Sequence, residues 1–112
     1  MIFSINHIRQ ICGGEKTQTR RLSDKYQVGH TYSIQEHYGG SGLKFSKIRI
    51  TDKRLEHPPF LISEADAKAE GGYTSEEYEE LWIIMYGGNR RESPRARYPR
   101  WAYTFKLIKL GL

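Results

Sequence analysis

The sequence predicts an α+β domain in which short strands enclose one small core, closed into a β-barrel or curled open, with two or three flanking helices. Three observations predict it. Trp101, Tyr103, Phe105 and Leu107 alternate with Ala102, Thr104, Lys106 and Ile108, the period of a half-buried strand. Thr74 with Glu77 three residues on is a capping box, and Tyr78, Leu81, Trp82 and Met85 follow it at helical spacing. Glycine and proline pairs at 13–14, 58–59 and 71–72 cut the rest into short pieces. At 112 residues the chain is read as a single domain, 1–112, large enough to fold around a hydrophobic core without disulfides or metal.

In chain order, Met1 to Ile5 alternates weakly and is a short first strand. Asn6 is placed as the cap of a helix over His7 to Cys12, whose Ile8, Ile11 and Cys12 share a face, and Gly13 with Gly14 ends it. Gly13 to Arg21, GGEKTQTRR, reads as an extended, cationic segment with Lys16, Gln18 and Arg20 on one side and Thr17, Thr19 and Arg21 on the other. Thr31 to Glu36 is a strand. Tyr38 to Gly42 is a loop. Leu43 to Leu55 is the longest strand, with Ile48 and Ile50 inward and Lys47, Arg49 and Thr51 outward. Ser63 opens an acidic helix through about Glu70. Gly87 to Arg100 holds five arginines and two prolines and reads as a basic loop before the last strand.

Charge is segregated along the chain. Residues 1–62 carry ten Lys or Arg against five acids, 63–80 one against seven, and 81–112 seven against one. That pattern suits a basic surface for a polyanion, with an acidic helix that faces away or lends a carboxylate to a site. A mean hydropathy of −0.70 and the lack of any run of about 18 apolar residues exclude a membrane-spanning helix. No basic stretch followed by an apolar one opens the sequence, and the lone Cys12 has no intrachain partner, so a cytoplasmic protein is expected. Histidines at 7, 30, 37 and 57 and one cysteine have no metal-ligand spacing, and no phosphate-binding glycine motif precedes Lys16 and Thr17. Neither a metal nor a cofactor is expected.

The combination with chemical potential is Lys16, Thr19 and an acid from the 63–70 helix. A threonine hydroxyl needs a base to take its proton, and a lysine serves when burial or neighbouring positive charge depresses its pKa. A carboxylate such as Glu70 can orient that lysine or move a proton to a leaving group. Lys16 and Thr19 fall on opposite sides of an ideal strand, so their convergence requires a bulge or turn within KTQT.

KTQTRR, then VGH, IRIT, ISEADAKAEGGYTSEEYEELW and the closing RWAYTFKLI together resemble the ASCH domains, over about Phe3 to Ile108. The resemblance implies a PUA-like β-barrel with helices beside a cationic cleft. It also implies an RNA-binding protein, with RNA or a modified nucleoside as ligand. The contacts expected for it are Thr17, Arg20, Arg21 and Arg49, with Arg90, Arg91, Arg95 and Arg97 added from the basic loop. The alternative it implies is an amidohydrolase acting on N4-acetylcytidine, or a ribonuclease-type activity. In such amidohydrolases a Lys, a Thr and a Glu form the catalytic set, and they fall here on Lys16, Thr19 and Glu70.

Overall fold

A computed structural model describes residues 1–36, 46–87 and 98–109. The loop at 38–42 and Arg90, Arg91, Arg95 and Arg97 lie outside the described residues. The element order is α1 (Ile5–Cys12), β1 (Gln18–Arg21), β2 (Thr31–Ser33), β3 (Lys47–Glu56), α2 (Glu64–Gly71), α3 (Ser75–Gly87) and β4 (Arg100–Lys109).

The strands form one antiparallel sheet in the order β1-β4-β3-β2. Among the described residues it is not closed, which corrects the expected barrel. The expected first strand shrinks to one bridging residue: Ile2 pairs in parallel with Gln35 beyond β2, and on its other side its carbonyl takes a 2.7 Å hydrogen bond from the Arg21 Nη2. A side chain therefore spans the gap where a ladder of main-chain bonds would have closed the barrel.

Local chemistry sets the helix ends. α1 starts two residues earlier than expected, because Ser4 sits in extended backbone and its hydroxyl accepts from the His7 amide at 3.3 Å; Asn6 lies inside the helix. Ser63 caps α2 in the same way, through the Asp66 amide at 3.1 Å. The capping box of α3 forms as read, with Thr74 Oγ1 accepting from the Glu77 amide and Glu77 Oε1 from the Thr74 amide. α2 ends on Gly72 at φ 84°, a left-handed cap. A Cβ on Gly71 would lie 3.0 Å from Gln10 Oε1 and from the Tyr73 ring, so this glycine lets the end of α2 meet α1.

One face of the sheet packs on α1, burying Phe3, Ile8, Ile11, Tyr26, Ile34, Ile48, Ile50, Tyr103 and Phe105. Ile48 and Ile50 point inward and Arg49 outward, as the alternation predicts. Cys12 is half-buried against this core. A second cluster of Ile62, Ala67, Tyr78 and Trp82 holds α2 to α3. These two helices cover one end of the opposite sheet face, where Ala102 is also buried. β4 begins at Arg100, which corrects the reading of that residue as part of the loop: it is buried, and its guanidinium lies 3.9 Å from the centre of the Phe60 ring.

Candidate functional site

A cavity of about 550 Å³ opens where the end of α2, one side of α3, α1 and β1 meet. Its wall includes Lys16, Thr19 and Glu70 together with Arg20, Arg21, His7, Gln10, Phe3, Tyr73 and Tyr78. The three residues singled out for catalysis thus share one cavity, by a route other than the anticipated strand bulge. β1 starts only at Gln18, so Lys16 sits before the ladder, where its amide and that of Glu15 bond to the Gln10 carbonyl. Freed from strand alternation, its side chain turns to the cavity.

Lys16 is 2% exposed and Glu70 also 2%, so both functional groups are removed from bulk water. The Lys16 ammonium donates to the Glu70 main-chain carbonyl and lies 3.3 Å from Glu70 Oε1. Glu70 Oε2 accepts from Arg20 Nη1 at 2.7 Å, so the carboxylate is gripped from both sides. Burial lowers the Lys16 pKa below the ordinary lysine range. The Glu70 carboxylate pulls the other way, and the Arg21 and Arg20 charges add to the lowering. Thr19 Oγ1 accepts from Arg21 Nε at 3.2 Å, and the Arg21 guanidinium stands 4.8 Å from the centre of the Phe3 ring.

On the far wall His7 Nε2 meets the Tyr73 hydroxyl at 2.9 Å. Burial, with the Lys16 charge second, lowers His7 to about 4. Its imidazole is therefore neutral at physiological pH.

Arg20 sits at the centre of a buried ionic chain. Its side chain is 0% exposed, and it donates to both Glu56 oxygens at 2.9 and 3.0 Å, to Asp66 at 3.3 Å and to Gln18 at 3.0 Å besides Glu70. Arg100 shares Glu56 at 2.8 Å and makes a two-pronged pair with Glu79, both arms 2.8 Å. Burial pushes the Glu56 carboxyl up, but the bonds from Arg20 and Arg100 outweigh it and hold it below the usual carboxylate range. The deepest cations of the expected cationic cleft thus already have carboxylate partners.

The remaining expected contacts are scattered. Arg21 lines the cavity; Arg49 is exposed on the sheet and is not part of its wall. Thr17 is half-buried and joins two elements through its main chain, its amide bonded to Ala69 O and its carbonyl accepting from the Phe105 amide, each at 2.9 Å. Sequence reading missed Glu56, Asp66 and Glu79 as partners of the arginines, and His7 and Tyr73 as cavity walls. The one available signal was the period-two run Arg54, Glu56 at the end of a strand, which places both on a single face. Among the described residues no group of His, Cys, Asp or Glu could hold a metal ion.

No family model and no curated protein sequence matches the chain. Solved structures do match in fold. An ASCH domain from Lactobacillus crispatus JV V101 superposes with a TM-score of 0.69 at 20% identity, over 89% of this chain and 69% of that one. A protein from Enterococcus faecalis V583, described as DUF984, gives 0.63 at 20% identity over 92% of this chain and 70% of that one. The hypothetical protein PH0355 gives 0.67 at 18% identity, covering 95% of this chain and 94% of that chain. The chain shares the ASCH-domain fold.

Proposed function

We propose that this protein of ASCH fold is an amidohydrolase that removes the acyl group from the exocyclic amine of a pyrimidine nucleoside, with N4-acetylcytidine as the substrate its sequence resemblance implies. The observation that carries the reading is the buried Lys16–Glu70 pair on the wall that also holds Thr19. Glu70 is counter-charge to buried Arg20, and it also places a carboxylate beside Lys16 on the wall that holds Thr19, the set of groups a hydrolase uses to move a proton.

Burial lowers the Lys16 pKa, in the direction that favours the neutral amine a general base must be. In the amine form, two N–H bonds to the Glu70 carbonyl and carboxylate leave its lone pair free to take a proton. Thr19 Oγ attacks the acyl carbonyl carbon as Lys16 takes its proton, and the carbon–nitrogen bond breaks as that proton passes through Lys16 or Glu70 to the departing amine. Water then cleaves the threonine ester and releases the free acid. Arg21, donating to Thr19 Oγ1, lowers the cost of negative charge on that oxygen. A cavity of about 550 Å³ with Phe3, Tyr73 and Tyr78 on its wall has the size and aromatic character of a nucleoside site.

Chromatographic conversion of N4-acetylcytidine to cytidine tests this directly. Lys16→Ala, Thr19→Ala and Glu70→Gln are each expected to lower kcat/KM by about two orders of magnitude or more, the size of a lost acid, base or nucleophile. No turnover by the wild type on the nucleoside or on acetylated RNA would overturn the proposal.

A further inference from the structure

Attack on an acyl carbon drives negative charge onto the carbonyl oxygen, and that oxygen needs a donor not already taken by the protein. The charged donors of the cavity wall are largely taken. Lys16 donates to the Glu70 carbonyl and carboxylate, and Arg20 to Gln18, Glu56, Asp66 and Glu70. Arg21 donates to Thr19 Oγ1 and to the Ile2 carbonyl, and Gln10 Nε2 to the Gly71 carbonyl at 3.0 Å. The His7–Tyr73 pair differs. A neutral imidazole carries one ring proton and a phenol one more, while the 2.9 Å contact between Nε2 and the hydroxyl uses only one of the two. With the ring proton on Nε2, His7 donates to the Tyr73 oxygen and the Tyr73 O–H is left for another acceptor. A carbonyl oxygen arriving in the cavity selects that tautomer.

The pair is held in place from several sides. Its rings meet edge to face at 89°, and the Tyr78 ring flanks Tyr73 with centres 5.8 Å apart. A Cβ on Gly71 would lie 3.0 Å from Tyr73 Cε2 and 3.2 Å from His7 Nε2, so the pair packs on the residue directly after Glu70, whose carbonyl takes the Lys16 bond. Both side chains line the cavity together with Lys16 and Thr19. Burial, with the Glu70 and Glu77 charges next, holds the Tyr73 phenol above its ordinary value, so it keeps its proton at neutral pH.

We propose that Tyr73 is the oxyanion donor of this site, its oxygen held by the His7 Nε2–H and its own O–H directed at the acyl carbonyl oxygen of the substrate. The assignment rests on the amidohydrolase reading and adds to it a group that touches the reacting atoms. As Thr19 Oγ bonds to the acyl carbon, the carbonyl π pair moves to the oxygen, and Tyr73 donates a hydrogen bond to it without giving up its proton. The pair returns when the carbon–nitrogen bond breaks, and the amine departs with the proton taken from Thr19. The same donor serves again when water cleaves the threonine ester. His7 acts through Tyr73 and is a positioning residue: a phenol oxygen that accepts a hydrogen bond becomes a stronger donor through its own O–H.

The test is steady-state hydrolysis of N4-acetylcytidine and of its thioacetyl analogue, because sulfur is a weak hydrogen-bond acceptor. Tyr73→Phe is expected to lower kcat on the oxygen substrate about 100-fold with KM nearly unchanged, and to lower it less than about tenfold on the sulfur one. His7→Gln, which retains an N–H, is expected to keep more of kcat than His7→Ala. An unchanged kcat in Tyr73→Phe would overturn the assignment and leave the hydrolase reading standing. Equal losses on the two substrates would also overturn it, since a residue that only supports the fold does not distinguish oxygen from sulfur. No turnover by the wild type would overturn both. Melting curves accompany each variant. Where Tyr73→Phe melts far below wild type, the oxygen-to-sulfur ratio of kcat in His7→Ala decides: a smaller ratio than in wild type supports the assignment, and an unchanged one overturns it.

Discussion

Replacing Arg20 with alanine is expected to destabilise the protein far more than replacing Arg54, although both arginines bond to Asp66. Arg20 has a side chain 0% exposed, and its loss strands Glu70, 3% exposed, with Glu56 and Asp66 at 20% and 24%. Removing one partner of a buried pair costs about 3–5 kcal/mol, because the remaining charge stays desolvated. Arg100 still holds Glu56 at 2.8 Å and Lys16 still holds Glu70 at 3.3 Å, which argues for the middle of that range, about 4 kcal/mol. For a domain of this length the loss corresponds to a fall in Tm of roughly 15 °C. Arg54 is 47% exposed, and its pair with Asp66 at 2.5 Å is screened by water, so Arg54→Ala is expected to cost under about 1 kcal/mol.

The effect of pH provides an internal check. Glu56 is held below its ordinary value in the fold, so the unfolded chain binds its proton more readily. Its stabilisation is complete above about pH 4.3, the unfolded carboxyl value, and is lost as pH falls through the lower folded value. In Arg20→Ala the stranded carboxylates gain from protonation, so the stability gap to wild type narrows on acidification. Urea denaturation at pH 7 and pH 4 measures both quantities. A variant within 1 kcal/mol of wild type at pH 7, or a gap that widens at pH 4, would refute the account of Arg20 as the buried counter-charge.

Two further outcomes follow from the same packing. His7, lowered to about 4 by burial and then by Lys16, is expected to stay neutral in an NMR titration down to nearly that pH; the fold loses stability as pH falls from about 6.5 towards 4, since only the unfolded chain takes the proton readily. Lys16→Met should raise the His7 midpoint, and an unmoved midpoint would count against their proximity. Phe105 is 4% exposed in the main core, so Phe105→Ala is expected to cost about 3–5 kcal/mol in chemical denaturation, and a loss below about 1 kcal/mol would mean that the β4 stripe is not core.

What the sequence revealed, and what it hid, divides by the range of the interaction. The α3 capping box, the Ser63 cap and the inward alternation of Ile48, Ile50, Tyr103 and Phe105 are local patterns and were legible residue by residue. Lys16, Thr19 and Glu70 were legible as a set through resemblance. Their convergence was read as needing a strand bulge, because the tie of Lys16 to the Gln10 carbonyl involves a contact across the α1 end that no period announces. Among the described residues the barrel does not close, for a similar reason: one Ile2 bridge and one arginine side chain stand where the weakly alternating first strand was expected. The arginines were the hardest to place. Arg20 and Glu56 lie 36 residues apart and share a face only because β4 sits between their strands, so no local pattern announces that a basic residue of β1, expected as a ligand contact, is also paired with buried acids. That also changes the meaning of the segregated sequence charge. The acidic stretch 63–80 does not simply face away: Asp66, Glu70 and Glu79 are spent on buried arginines, so the positive potential left for a polyanion is carried by residues outside their reach, of which Lys47, Arg49 and Lys106 form one contiguous set.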